Sequence, residues 1–417
     1  MHILEIAGSG TIGTQKMGPI SNDICQLSKR FSELNHDVTI ADAATEGNRT
    51  KLHPQMRLVE IDSIARSYSR YNRNPNFLSA KNAFNTYLSL YNYWKDEYFF
   101  INKIASNIDF SKFDIIHIHE SIPAIIFHRK FKYKYVYTAH TPTWCQIYNN
   151  ESLFNNVKKV KIELLTALGL HEKHAIKNST LTIGLGKYLK EHFRNADIKI
   201  IQNGIDLSKW EPIKRTYARR SLGYDQDDFI VLFVGRVLPI KGVHTLINAV
   251  KLIGSNLKNF YVIIIGSLGK SFEDRVEINP YAKKLITASK ELPVEFKGFI
   301  SNRSNTFKKF LSGADLLVLP SLFEPQGNVI LEAMAMEVPV LASASGGIPD
   351  TVTNRVGRLF RPGDFKQLAS LLNYFYFNRE ELLDLKKHCR SYVTQNFTWD
   401  ISAKKHIDAF KHLIELN

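Results

Sequence analysis

Two acids frame the segment Glu324-Pro-Gln-Gly-Asn-Val-Ile-Leu-Glu332, with seven residues between them. The segment follows the apolar run Leu316 to Leu319 and continues into the helical sequence AMAMEV. Glu324 is therefore expected in the loop at a strand end, with Gly327 and Asn328 opening a helix and Glu332 just over one turn into it. Free N–H groups and the dipole at such an opening favour an anion such as a diphosphate. From its helix Glu332 can accept two hydrogen bonds from a ribose diol, and Glu324 can reach the hydroxyls of a transferred sugar. A solvated loop acid and a helix-surface acid would have the same spacing, so the neighbouring residues must choose.

After the apolar run Ile230 to Val234 comes Gly235-Arg236-Val-Leu-Pro-Ile-Lys241-Gly242. Two cations beside a glycine turn suit a departing diphosphate, whose bridging oxygen gains charge as the glycosidic bond breaks. Arg236 and Lys241 could take the place of a metal there. A solvated basic loop is the bland alternative, and it weakens when the pair follows a buried strand.

These groups need a frame to hold them. Short β-branched runs recur between helical patterns at Ile3 to Ile6, Val38 to Ile40, Ile115 to Ile118, Tyr135 to Thr138, Leu181 to Leu185 and Ile198 to Ile201. After a polar stretch from Asp206 to Asp228 the pattern restarts at Ile230 to Val234, Tyr261 to Ile265, Leu316 to Leu319 and Val338 to Ala342. Alternating strands and helices imply two α/β domains with parallel sheets, whose ligands bind beyond the carboxyl ends of the strands. The expected division is an N-terminal domain over 1–205, a C-terminal domain over 206–396 and a closing amphipathic helix over 397–417 that packs back on the first domain.

A length of 417 residues suits two cores, and a hydrophobic share of 44% with 23% charged residues is that of folded domains. Cys25, Cys145 and Cys389 are odd in number and scattered, which argues against disulfides or zinc and fits a cytoplasmic protein. Neither a basic leader with an apolar stretch nor a membrane span is evident. The net charge of +15, spread over both halves, favours anionic partners: sugar nucleotides, acidic membrane surfaces or nucleic acid.

The chain resembles the family 4 glycosyltransferases of the GT-B fold over nearly its whole length. The matching pieces are DIIHIH from Asp114 to His119, VYTAH ending at His140, IQNGID from Ile201 to Asp206, FVGRVLPIKG, VIIIG ending at Gly266, FKGFIS, and EPQGNVILEAMA with PVLASASGG. The resemblance implies two facing Rossmann-like domains with a cleft between them, retention of anomeric configuration, no metal or other cofactor, and a nucleotide-sugar donor (UDP-, GDP- or ADP-linked) held by the second domain. The first domain would then bind the acceptor. Arg236 and Lys241 become diphosphate ligands, Glu324 a donor-sugar ligand, Glu332 a ribose ligand and His140 a contact near the reacting centre. Gly18, Gly235, Gly266, Gly327, Asn328 and Val329 complete the implied donor site. Two departures stand out: Met17-Gly18-Pro19 replaces a glycine pair, leaving Gly18 alone to supply permissive backbone, and Gln326 stands where an aromatic is more common.

Several patterns are decoys. Gly8-Ser-Gly10-Thr-Ile-Gly13 matches the dinucleotide fingerprint, but the helical run starts later, at Asn22, and no acid stands where the ribose needs one. Asp225-Gln-Asp227 precedes a strand, as a solvated turn does, and His171-Glu-Lys-His174 lacks the spacing of a helical zinc site. Aromatic and basic residues interleave over Arg66 to Arg73 and Tyr87 to Phe100, which suits packing, sugar stacking or, as an outsider, nucleic acid. Arg129, Lys130, Lys132 and Lys134, with Lys158, Lys159 and Lys161 beside the apolar stripe Leu153 to Leu168, raise the expectation of weak contact with anionic membranes and a lipid-linked or acidic acceptor. The rival functions are a sugar-nucleotide epimerase or phosphorylase on the same frame, and a non-catalytic sugar-nucleotide-binding protein.

Overall fold

Apolar runs of four to six residues are too short for stable helices and are buried on both faces, as in Ile115–Ile118 and Leu316–Leu319. A parallel sheet covered by helices meets that requirement. The computed structural model describes residues 1–7, 18–43, 53–54, 56–61, 83–140, 170–254, 257–272 and 275–415. One compact unit comprises Met1–Asn203 with Trp399–Asn417, and the other Gly204–Thr398. The segments 8–13, Met17, Arg66 to Arg73, Cys145 and Leu153 to Leu168 lie outside the described residues.

In the first unit the strands are β1 (His2–Ile6), β2 (Asp37–Ala43), β3 (Met56–Ile61), β4 (Ile115–Ile118), β5 (Val136–Ala139), β6 (Leu181–Gly184) and β7 (Ile198–Ile200). They form one parallel sheet in the order β3-β2-β1-β4-β5-β6-β7. The helix Pro19–Glu33 starts with proline, which suits a position whose N–H needs no partner, and buries Ile24, Leu27 and Phe31. The helix Trp399–Glu415 adds Trp399, Ala403, Ile407 and Phe410 to the same core, with the Phe31 and Phe410 rings edge to face at 5.9 Å.

The second unit holds β8 (Phe229–Val234), β9 (Phe260–Ile265), a hairpin of β10 (Gly269–Phe272) and β11 (Arg275–Ile278), then β12 (Val294–Gly298), β13 (Leu316–Leu319), β14 (Val340–Ser343) and β15 (Gly357–Phe360). Its main sheet is parallel in the order β12-β9-β8-β13-β14-β15. The turn Asp225 to Asp227 precedes β8, as expected, and the guanidinium of buried Arg219 ties it down by donating to the carbonyls of Asp225 (3.0 Å) and Gln226 (2.7 Å). Both sheets reverse direction once. The chain order turns between β1 and β4 in one unit and between β8 and β13 in the other, and at such switch points the flanking loops part to admit a ligand.

Candidate functional site

In the second unit the loops after β8 and β13 are locked together. Beyond Val234 the chain passes Gly235 and Arg236 into the 3-10 turn Pro239–Lys241 and the helix Val243–Ile253. Gly242 between them has φ +65°, and a Cβ there would lie 1.8 Å from the carbonyl oxygen of Pro320 in the β13 loop. The Leu322 amide donates to the Ile240 carbonyl at 2.8 Å, and the Lys241 ammonium forms an ion pair with the Glu324 carboxylate. Gly266, at the end of β9, approaches so closely that a Cβ would stand 1.9 Å from the Gly235 carbonyl oxygen. From β14 the Gly347 amide donates to the Glu324 carbonyl at 3.0 Å. Four strand ends thus meet around one cation and one carboxylate, with Arg236 exposed beside them.

Gly327 caps the helix Asn328–Ala335 with φ +81°, a left-handed conformation that glycine adopts without strain. Its first turn carries Asn328 and Val329, and no acidic side chain stands there to neutralise the dipole. Glu332 is half-buried in the next turn and accepts from the Asn302 amide at 3.4 Å. Burial raises its carboxyl to about 7, the Asn302 hydrogen bond opposing the shift. Asn302 carried no signal in the sequence, since it belongs to a separate loop after β12.

In the first unit the side chains around His140 form a buried polar cluster at the switch point. Glu5 on β1 pairs in register with His117 on β4, and alternation puts His119 on the same face. The Glu5 carboxylate accepts from His119 Nε2 at 2.5 Å and from His117 Nδ1 at 3.0 Å. His117 Nε2 meets the Thr138 hydroxyl at 2.6 Å, and His119 Nδ1 meets His140 Nε2 at 2.9 Å. Asp23 approaches from the helix Pro19–Glu33, its Oδ2 lying 3.9 Å from His140 Nδ1 and accepting from Asn203 Nδ2 at 2.7 Å. All these side chains are buried. Burial alone would raise Glu5, but the two imidazoles outweigh it and hold the carboxyl below the usual range. Burial, reinforced by the neighbouring His117, lowers His119 to about 4, and burial lowers His140 well below an ordinary histidine. Burial lifts Asp23 to about 8 against its amide partners.

Glu5, His117 and His119 offer one ligand atom each within 4.8 Å of one another, a spacing a metal could use. The 2.5 Å separation of Glu5 Oε2 from His119 Nε2 is that of a hydrogen bond, whereas ligands on a tetrahedral ion at about 2.0 to 2.2 Å stand about 3.3 Å apart. His171 packs edge to face on Trp94 and His174 Nδ1 bonds the Asn178 amide at 2.8 Å, as surface-helix histidines do.

Gly18, by contrast, uses none of a glycine's freedom. It caps Pro19–Glu33 at φ −75°, where any residue is at ease, and among the described residues nothing lies within 4 Å of a Cβ built there.

Two family models match the chain: Glycosyltransferase Family 4 over residues 20–209 and Glycosyl transferases group 1 over residues 214–392. An uncharacterized glycosyltransferase of Methanocaldococcus jannaschii is 29% identical over 325 residues, covering 73% of this chain and 77% of the relative. The capsular polysaccharide biosynthesis glycosyltransferase CapM of Staphylococcus aureus is 30% identical over 187 residues, 45% of this chain and 46% of CapM. Among solved structures, sucrose-phosphate synthase from Thermosynechococcus elongatus superposes with a TM-score of 0.75 at 20% identity, covering 100% of both chains. Anabaena HepE in complex with UDP-glucose superposes at 0.66 and 18% identity, over 99% of this chain and 100% of HepE. With two parallel-sheet α/β units, matched one after the other by the two halves of the family signature, the chain belongs to the family 4 glycosyltransferases of the GT-B fold.

Proposed function

We propose that the protein transfers a hexosyl group from a nucleoside diphosphate sugar, a UDP-sugar first among the candidates, to an acceptor hydroxyl with retention of configuration and without a metal. The observation that carries this is the Lys241–Glu324 ion pair, which joins the loops of two neighbouring strands beside an uncapped helix start. A donor entering there exchanges that pair for its own groups: Lys241, with Arg236 and the N–H groups of Asn328 and Val329, takes the diphosphate, and Glu324 takes the sugar hydroxyls. Glu332 takes the ribose diol. The UDP-glucose complex of HepE, a protein of the same fold, supports the choice of donor class.

In the reaction the glycosidic bond to the diphosphate breaks while the acceptor oxygen bonds to the anomeric carbon from the same face. The acceptor proton passes to the departing phosphate oxygen, so no protein nucleophile is needed. Positioning and stabilisation of the diphosphate charge by Arg236 and Lys241 supply the catalysis. A cytoplasmic site with a lipid-linked or acidic acceptor fits the exposed basic edge of Arg129, Lys130, Lys132 and Lys134. Among the described residues, no helix is long and apolar enough to cross a membrane.

The test is a binding and turnover screen of UDP-, GDP- and ADP-sugars, with the product anomer read by NMR and EDTA present in a parallel series. Transfer with retention in EDTA is expected. An inverted product, or strict dependence on Mg²⁺ or Mn²⁺, overturns the mechanism, and a rearranged sugar nucleotide without transfer would favour an epimerase.

A further inference from the structure

We propose that Glu5 and His119 are positioning residues that hold His140 in the tautomer with its proton on Nε2, leaving Nδ1 as the ring nitrogen that can accept a hydrogen bond. The proposal rests on the transferase reading for its substrate, but not for its geometry.

Hydrogen-bond polarity runs one way through the cluster. A carboxylate only accepts, so His119 must donate from Nε2 to Glu5 across 2.5 Å. Burial keeps His119 neutral near pH 7, with a value of about 4, leaving Nδ1 of the same ring as an acceptor. His140 Nε2, 2.9 Å away, must then be the donor. The remaining ring nitrogen, His140 Nδ1, is buried, carries a lone pair and, among the described residues, has no hydrogen-bond partner. That unpartnered atom is the outlet of the chain. Among the described residues Asp23 faces it, with Oδ2 at 3.9 Å and Oδ1 also buried without a partner, and burial keeps that carboxyl protonated near pH 7, so it does not draw a proton onto Nδ1.

The other titratable groups around the cluster do not reverse this polarity. His117 donates to the same carboxylate from Nδ1, and its Nε2 meets the Thr138 hydroxyl and not His119 or His140. His406, on the helix Trp399–Glu415, is held by the Ser402 carbonyl at 2.8 Å and is lowered by burial to about 3, so it brings no charge at neutral pH. Without Glu5, either nitrogen of His119 could carry its proton and the order that fixes His140 would be lost.

The direct test is ¹⁵N NMR of the histidine rings in the intact protein. A protonated Nε2 and an unprotonated Nδ1 on His140 are expected, and the opposite tautomer overturns the proposal whatever the protein catalyses. Glu5→Gln and His119→Phe should turn the His140 signals into those of a tautomer mixture and lower kcat by about 10- to 100-fold with little change in donor KM. In a His140→Phe background neither substitution should lower kcat further; losses that multiply would show that Glu5 and His119 act only on the fold. Elemental analysis closes the remaining route: a stoichiometric metal in the wild type that Glu5→Gln releases would make the cluster a metal site and overturn the relay. If the tautomer is as stated yet no sugar is transferred, it is the transferase reading that fails.

Discussion

The two units place polar side chains at equivalent points of their sheets and treat them in opposite ways. At the β1/β4 switch point the acid and imidazoles are buried and bonded mainly to one another. At the β8/β13 switch point Lys241, Glu324 and Glu332 are half-buried, and backbone packing at glycine holds their loops. A buried network gains strength from its low dielectric, and the same low dielectric makes an unpaired member costly. The Lys241–Glu324 pair joins two loops at the sheet edge, where the charged groups of a ligand can take the place of either partner. On the proposed reading, one arrangement orients a single atom and the other exchanges partners with a ligand.

The strongest test of this contrast is removal of the exchangeable charges. Lys241→Ala and Arg236→Ala should each raise the barrier by roughly 2 to 4 kcal/mol, measured as turnover at saturating donor, while the melting transition stays near that of the wild type. Near-normal turnover in either variant removes that residue from the diphosphate role.

Next comes the backbone. Gly242→Ala sets a Cβ against the Pro320 carbonyl at a φ of +65°, so the β8 and β13 loops must separate. A loss of about 1 to 3 kcal/mol in unfolding free energy, together with weaker nucleotide binding, is expected from denaturant titration and calorimetry. Unchanged binding would mean that the close approach of the loops does not shape the site.

A smaller effect sharpens the comparison through pH. Glu332 is raised to about 7, so the free protein holds this proton below that pH, whereas a ribose diol favours the carboxylate. Nucleotide affinity should fall by about tenfold per pH unit at most as pH drops below 7, and Glu332→Gln should flatten the profile. The stability linkage has the opposite sign. The folded carboxyl keeps its proton where the unfolded one has lost it, so this contribution is full below the ordinary value of 4.5 and disappears as pH rises through 7. A flat affinity profile in the wild type would separate Glu332 from the ribose.

The smallest expected effect lies at the exposed end of the helix Ser121–Phe131. Each basic group there contributes about 1 kcal/mol next to an anionic bilayer, so vesicle co-sedimentation should be weak, reversed by salt and reduced by Arg129→Ser with Lys132→Ser. Indifference to anionic vesicles at low salt would remove the membrane from the acceptor side.

Legibility in the sequence followed the same division. Most of the candidate donor-site residues, Gly18 and Gly266 apart, stood in two contiguous motifs, each after an apolar strand, so local patterning placed Arg236, Lys241, Gly327 and Glu332 on their loops and helix. His140 was singled out by the family motif VYTAH, but its partners were not, since Glu5 and His119 are 114 positions apart and meet only through strand pairing. An available signal was overlooked: Glu5 is an acid inside an apolar run, and His117 and His119 alternate within another. The edge strands β3, β12 and β15 also escaped, because strands such as Met56–Ile61 and Val294–Gly298 carry charges on half-exposed faces and lack the uniform apolarity of central strands.

The helix Trp399–Glu415 has a consequence for biosynthesis. The core of the first unit contains Trp399, Ala403, Ile407 and Phe410, which leave the ribosome only after every residue of the second unit has been made. Until then Ile24, Leu27 and Phe31 lack their covering helix, whereas Gly204–Thr398 is already contiguous and complete. Vectorial synthesis ordinarily lets the N-terminal domain fold first. Here the order is inverted: the second unit can mature during translation while the first waits for the helix Trp399–Glu415, leaving nascent first-unit surface exposed to chaperones while the second unit is made.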